Sequence, residues 1–108
     1  MALTIETAKD GDYYRVTAKG DIDLYSSPEL RAAILKAVKR KEGVAVDLSG
    51  VGYMDSSGVA TLVEGLKSCA VDHQEFIIEK PSDAVMKVLQ LARLDTLFKI
   101  SRGPGGQT

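Results

Sequence analysis

Apolar and polar residues alternate at the start of the chain, where Leu3 and Ile5 share one face of a strand over residues 2–7. Asp10-Gly11-Asp12 signals a turn, and Tyr14, Val16 and Ala18 then alternate with Arg15, Thr17 and Lys19. The two segments read as a β-hairpin. Gly20-Asp21-Ile22-Asp23 ends the second strand and opens a loop. From there the period changes: Leu30, Ala33, Ile34, Ala37 and Val38 recur at three- and four-residue spacing, the apolar stripe of a helix. Ser26 or Ser27 can cap its start, Pro28 falls near its first turn, and Gly43 follows its basic end as a stop.

Val44-Ala45-Val46-Asp47-Leu48 is nearly continuous apolar sequence, as expected of a strand covered on both faces. Ser49 to Gly52, the pair Tyr53-Met54 and then Asp55-Ser56-Ser57-Gly58 lead into a second helix striped by Val59, Leu62, Val63, Leu66 and Ala70. Phe76-Ile77-Ile78 is a short buried strand. Pro81-Ser82-Asp83 opens a third helix carrying Val85, Val88, Leu89 and Ala92. Leu97, Phe98 and Ile100 form either a last short strand or a hydrophobic closing segment. The order is ββαβαβα with that optional strand, an α/β fold whose mixed β-sheet is joined by amphipathic crossover helices.

At 108 residues the chain has room for one domain and one core. The expected domain spans residues 1–101, and 102–108, which has nothing to bury, is expected to be a flexible C-terminal tail. Hydrophobic residues make up 44% and charged residues 27%, and the net charge of −1 leaves no large basic surface for nucleic acid. Lys36, Lys39, Arg40 and Lys41 cluster where a helix end complements them. The first residues do not form a signal peptide, and no run reaches the roughly 20 apolar residues of a membrane span. A single cysteine, Cys69, fits a reducing compartment. The expectation is a soluble cytoplasmic domain with no direct membrane insertion.

Catalytic constellations are sparse, so no catalytic residue, metal or cofactor is assigned. His73 is the sole histidine and has no second ligand at metal spacing. Cys69 lies four residues before it, but on an apolar stripe, with His73 in the following turn. No Gly-x-Ser-x-Gly elbow, phosphate-binding loop or Gly-x-Gly-x-x-Gly occurs. Asp21, Asp23, Asp47 and Asp55 either meet at one sheet edge around a cation or cap turns and helices.

Asp55-Ser56-Ser57-Gly58 stands at a helix N-terminus, where backbone N–H groups lack intrahelical partners. A serine there can cap the helix, and Gly58 can let a partner approach the backbone. The same turn suits a switch. A phosphate adds about −1.5 to −2 charges, which the helix dipole tolerates but a docked partner does not.

With Gly20-Asp21-Ile22-Asp23, Val46 through Val59, and Val88 through Phe98, the chain resembles the STAS domain family over residues 3–101. More narrowly, it is similar to the stand-alone bacterial anti-sigma factor antagonists. That resemblance implies a partner, an anti-sigma factor that is also a serine kinase and uses ATP to phosphorylate Ser56, which separates the pair. It implies a partner surface of Asp21, Asp23, Asp55, Ser56, Ser57 and Gly58, with Ser57 as the neighbouring cap. The alternative it leaves open is a STAS subunit docking on the permease or ATPase of a lipid-transporting ABC system. Two segments depart from the family pattern. Ala70-Val71-Asp72-His73-Gln74 stands where many relatives carry a Gly-Gly turn, and the loop after Asp23 reads Leu24-Tyr25-Ser26-Ser27.

Overall fold

A computed structural model describes residues 1–102. The elements are β1 (Thr4–Asp10), β2 (Tyr13–Ile22), α1 (Ser27–Val38), β3 (Gly43–Met54), α2 (Ser56–Val71), β4 (Phe76–Glu79), α3 (Asp83–Leu91) and β5 (Lys99–Ser101). The five strands pair in chain order, β1 antiparallel to β2 and every later neighbour parallel. Right-handed crossovers that all advance the same way lay the three helices on one face of such a sheet. Their buried residues, Leu30, Ile34, Leu62, Val85 and Leu89 among them, meet Val16, Val44, Val46, Leu48 and Ile78 in one core. Of the expected tail only Arg102 is described; 103–108 lie outside the described residues.

The longest strand departs most from expectation. β3 continues past Leu48 through Ser49-Gly50-Val51-Gly52-Tyr53 to Met54. Its register against β2 slips twice, Thr17↔Asp47 being followed by Lys19↔Gly50, and Gly20↔Val51 by Asp21↔Tyr53. Each slip sets one extra β3 residue against β2, a bulge that bends the strand and re-aims its side chains. Val44, Val46 and Leu48 point inward at spacing two, but Val51 and Met54 follow at spacing three, and all are buried.

β3 is also not covered by helices on both faces. On the far face Arg15 of β2 reaches Glu79 of β4, spanning β3 at Ala45, the register partner of Arg15. Ala45 and Ile77 are buried there outside the main core. Charged side chains with long aliphatic stems replace a second helix layer.

Helix ends shift as well. Gly43 opens β3 rather than stopping α1, and the left-handed position after α1 is held by Lys41 (φ 62°). Ser26 is the N-cap position of α1, but its hydroxyl makes no cap bond there. In α2 the buried line runs through Gly58, Leu62, Gly65 and Cys69, while Ala70 is exposed. Gly65 explains the rotation: a Cβ there would stand 2.8 Å from Ile34 Cγ2 and 2.8 Å from the Phe76 ring, so α2 packs backbone-close against α1 and β4. In α3, Ser82 caps the N-terminus by accepting from Val85 N–H at 3.2 Å.

Candidate functional site

Because β2 and β3 are parallel neighbours, both end at the same rim of the sheet, with Ile22 opposite Met54. The Asp55 N–H donates to the Ile22 carbonyl at 3.1 Å and fixes the start of α2 beside the end of β2. Asp21 and Asp23 therefore stand next to the Asp55-Ser56-Ser57-Gly58 turn, as the sequence suggested.

Asp55 itself caps α2. Its Oδ1 accepts from Ser57 N–H at 2.9 Å and from the Ser57 hydroxyl at 2.5 Å. The Ser57 hydroxyl, followed by the Ser57 and Gly58 backbone donors, holds the Asp55 carboxyl below the usual carboxylate range. The Gly58 and Val59 N–H groups donate to the Asp55 carbonyl at 3.1 and 3.3 Å. The expected serine cap is thus corrected: a carboxylate supplies the cap, and Ser57 is bound to it. One turn on, the buried Thr61 hydroxyl donates to the Ser57 carbonyl at 3.0 Å.

Ser56, the first residue of α2, is exposed, and its hydroxyl has no hydrogen-bonding partner among the described residues. Two adjacent serines therefore differ in kind, one committed to the fold and one free. Gly58 serves the interior. A Cβ there would lie 2.5 Å from Met54 Cγ and 2.8 Å from Ile22 Cγ2, so its bare face is turned into the core and not toward a partner.

The aspartates do not converge on a cation. Asp21 Oδ2 meets the Met1 ammonium at 2.6 Å. Asp23 Oδ1 accepts from Tyr25 N–H at 2.9 Å and Ser26 N–H at 3.0 Å, closing the loop on itself. Asp47 lies on the far face of the sheet, bonded to Ser49 and 3.3 Å from Lys80 Nζ. Among the described residues no three His, Cys, Asp or Glu side chains are grouped to hold a metal ion. Cys69 is buried, and burial, with Asp72 adding, pushes its thiol up to about 11, which suppresses a thiolate nucleophile. His73 is exposed in the turn after α2. No described helix is long and apolar enough to cross a membrane.

Sequence reasoning noted the Leu24-Tyr25-Ser26-Ser27 loop as a departure from the family pattern but did not count its apolar side chains, or Tyr53, as part of the site. Leu24 and Tyr25, in the β2–α1 loop, and Tyr53, paired with Asp21, are exposed by 69%, 91% and 51%. The signal was present: no strand or helix stripe has room for Leu24 and Tyr25, and Tyr53 is out of phase with the buried Met54.

The site thus stands at the rim of a mixed five-stranded sheet, with an exposed serine at the first turn of α2. The family model described as "Mlab, STAS domain" matches residues 5–100, and the chain belongs to that family. It is 32% identical to the anti-sigma-B factor antagonist of Staphylococcus epidermidis over 106 residues, covering 95% of this chain and 96% of that protein. It is 31% identical, at the same coverage, to the anti-sigma-B factor antagonist of Staphylococcus aureus. The fold is also that of an anti-sigma factor antagonist from Mycobacterium paratuberculosis, with a TM-score of 0.84 and 23% identity over 93% of this chain and 86% of that one. The phosphorylated form of the Bacillus cell fate determinant SpoIIAA aligns with a TM-score of 0.69 and 20% identity over 93% of this chain and 91% of that one.

Proposed function

We propose that this chain is a cytoplasmic anti-sigma factor antagonist: it binds an anti-sigma factor with serine kinase activity and is released when that kinase phosphorylates Ser56. The carrying observation is the contrast between the two serines. Ser56 is exposed and uncommitted, whereas the Ser57 hydroxyl is tied to Asp55. Relatives named anti-sigma-B factor antagonists, matched along 95% of the chain, favour this reading over a transporter subunit.

The electrostatics fit a surface switch. Asp55 already accepts from Ser57 N–H, and Gly58 and Val59 donate to its carbonyl, so a phosphate on Ser56 finds most first-turn donors taken. It stands in solvent beside Asp55, with Asp21 and Asp23 on the same rim. The fold keeps its contacts while the surface gains about two negative charges. Like-charge repulsion and desolvation at a docked interface can reach several kcal/mol, enough to dissolve a tight complex.

The test is intact mass after incubation with ATP and the candidate anti-sigma factor kinase. One phosphate is expected on the wild type and on Ser57→Ala, and none on Ser56→Ala. A kinase active on a control substrate that leaves Ser56 unmodified overturns the proposal.

A further inference from the structure

Large apolar side chains exposed singly are ordinary, but contiguous ones mark interaction sites. Of the other exposed large apolar residues, Val71, Leu91 and Leu97 stand at helix ends and in the α3–β5 loop, while Met1 is held at Asp21 by its ammonium and its carbonyl. Leu24, Tyr25 and Tyr53 instead gather where β2 and β3 end, on the rim that carries Ser56.

The loop that presents two of them is fixed. Asp23 Oδ1 accepts from Tyr25 N–H, Ser26 N–H and, at 3.1 Å, the Ser26 hydroxyl. The Ser26 oxygen in turn accepts from Asp23 N–H at 2.9 Å and lies 2.9 Å from the Asp21 carbonyl. Leu24 and Tyr25 are thus held outward by a closed turn. A tyrosine so held offers a large contact area at small ordering cost, which is why tyrosine is enriched at the residues that dominate binding energy. Asp23 and Asp55 stand at the same strand ends, and Asp21 there is already paired with the Met1 ammonium, so the rim keeps a negative sign that a partner must complement.

We propose that Leu24, Tyr25 and Tyr53 are the apolar anchors by which the anti-sigma factor selects this chain, through a recess of its own rimmed by basic side chains. This rests on the functional reading above and divides the rim into two tasks. The anchors determine how tightly the partner binds, and the Ser56 hydroxyl determines when it leaves.

The probe is the purified anti-sigma factor kinase that phosphorylates Ser56 in the mass assay, titrated with wild type, Leu24→Ser, Tyr25→Ala, Tyr25→Phe and Tyr53→Ala. Tyr25→Ala is expected to raise Kd about 10- to 30-fold, Tyr25→Phe to bind near wild type, and the other two to weaken binding at least several-fold. In steady-state phosphorylation KM rises while kcat holds. Thermal midpoints stay at the wild-type value because the side chains are exposed. Variants that bind within twofold of a wild type that is itself phosphorylated overturn the anchors alone. A concentration-dependent dimer of the wild type that Tyr25→Ala abolishes also overturns them, assigning the patch to a second copy. A wild type that accepts no phosphate overturns the functional reading instead.

Discussion

Arg15 and Glu79 sit on strands that are not neighbours, yet their side chains form a two-point ion pair. Arg15 Nε donates to Glu79 Oε1 at 2.6 Å and Nη2 to Oε2 at 3.1 Å, across β3 at Ala45. Both side chains are roughly three-quarters buried, and Arg15 also pairs with Asp10. A small residue at 45 leaves the space the guanidinium crosses.

A double-mutant cycle on Arg15→Met and Glu79→Gln should return a coupling of about 1 kcal/mol, above the usual worth of an exposed pair. Urea unfolding of the four proteins measures it. Ala45→Leu should reproduce much of the loss with both charges in place, by blocking the crossing.

Asp55 is expected to matter to the fold as a cap and to acid stability as a charge. Asp55→Ala should cost about 1 kcal/mol, whereas Asp55→Asn, also a good cap, should stay within a few tenths at neutral pH. Because the folded carboxyl is held below its ordinary value, its contribution is complete above about pH 4 and fades as pH falls through the lower folded value. Asp55→Asn should therefore flatten the acid limb of a stability-against-pH curve, measured by urea midpoints between pH 5 and 2.

Gly65→Ala should destabilise although alanine is the better helix former. The new methyl meets Ile34 and the Phe76 ring at 2.8 Å, and overpacking of that kind costs about 1–3 kcal/mol against a propensity gain of about 1. Calorimetry should show a lower midpoint for Gly65→Ala, recovered in part by Ile34→Val.

His73 holds a left-handed conformation, φ 56°, in the turn after α2. A non-glycine residue there costs roughly 1–2 kcal/mol, partly offset by the greater freedom glycine gives the unfolded chain. His73→Gly should raise stability by about 0.5 kcal/mol, and the thermal midpoint reads the sign directly.

Most of the fold was legible because helix stripes and strand alternation carry it. Leu30, Ile34 and Val38 announced α1, and Val16 and Ala18 announced β2. The second half of β3 was not legible, since its two bulges break the period of two and leave Val51 and Met54 at spacing three. The far face of the sheet was misread because an apolar run looks the same whether helices or ion-paired side chains cover it. At the site, the Asp-Ser-Ser-Gly turn was visible as a helix start. The difference between the two serines came from the family resemblance and not from the residue pattern, because it lies in the Asp55 Oδ1–Ser57 hydroxyl bond, just as the inward face of Gly58 lies in its packing against Met54. Both are local contacts, two and four residues apart, set by the extended backbone of Asp55 where α2 begins.

The bond from Asp55 N–H to the Ile22 carbonyl ties two loops, thirty-odd residues apart in sequence, into one preorganised platform. A partner meets a surface assembled before it arrives, so association should proceed without a conformational search and its rate should follow ionic strength rather than loop dynamics. Weakening that strand end, even at residues a partner never touches, would convert a rigid-body encounter into a coupled ordering event.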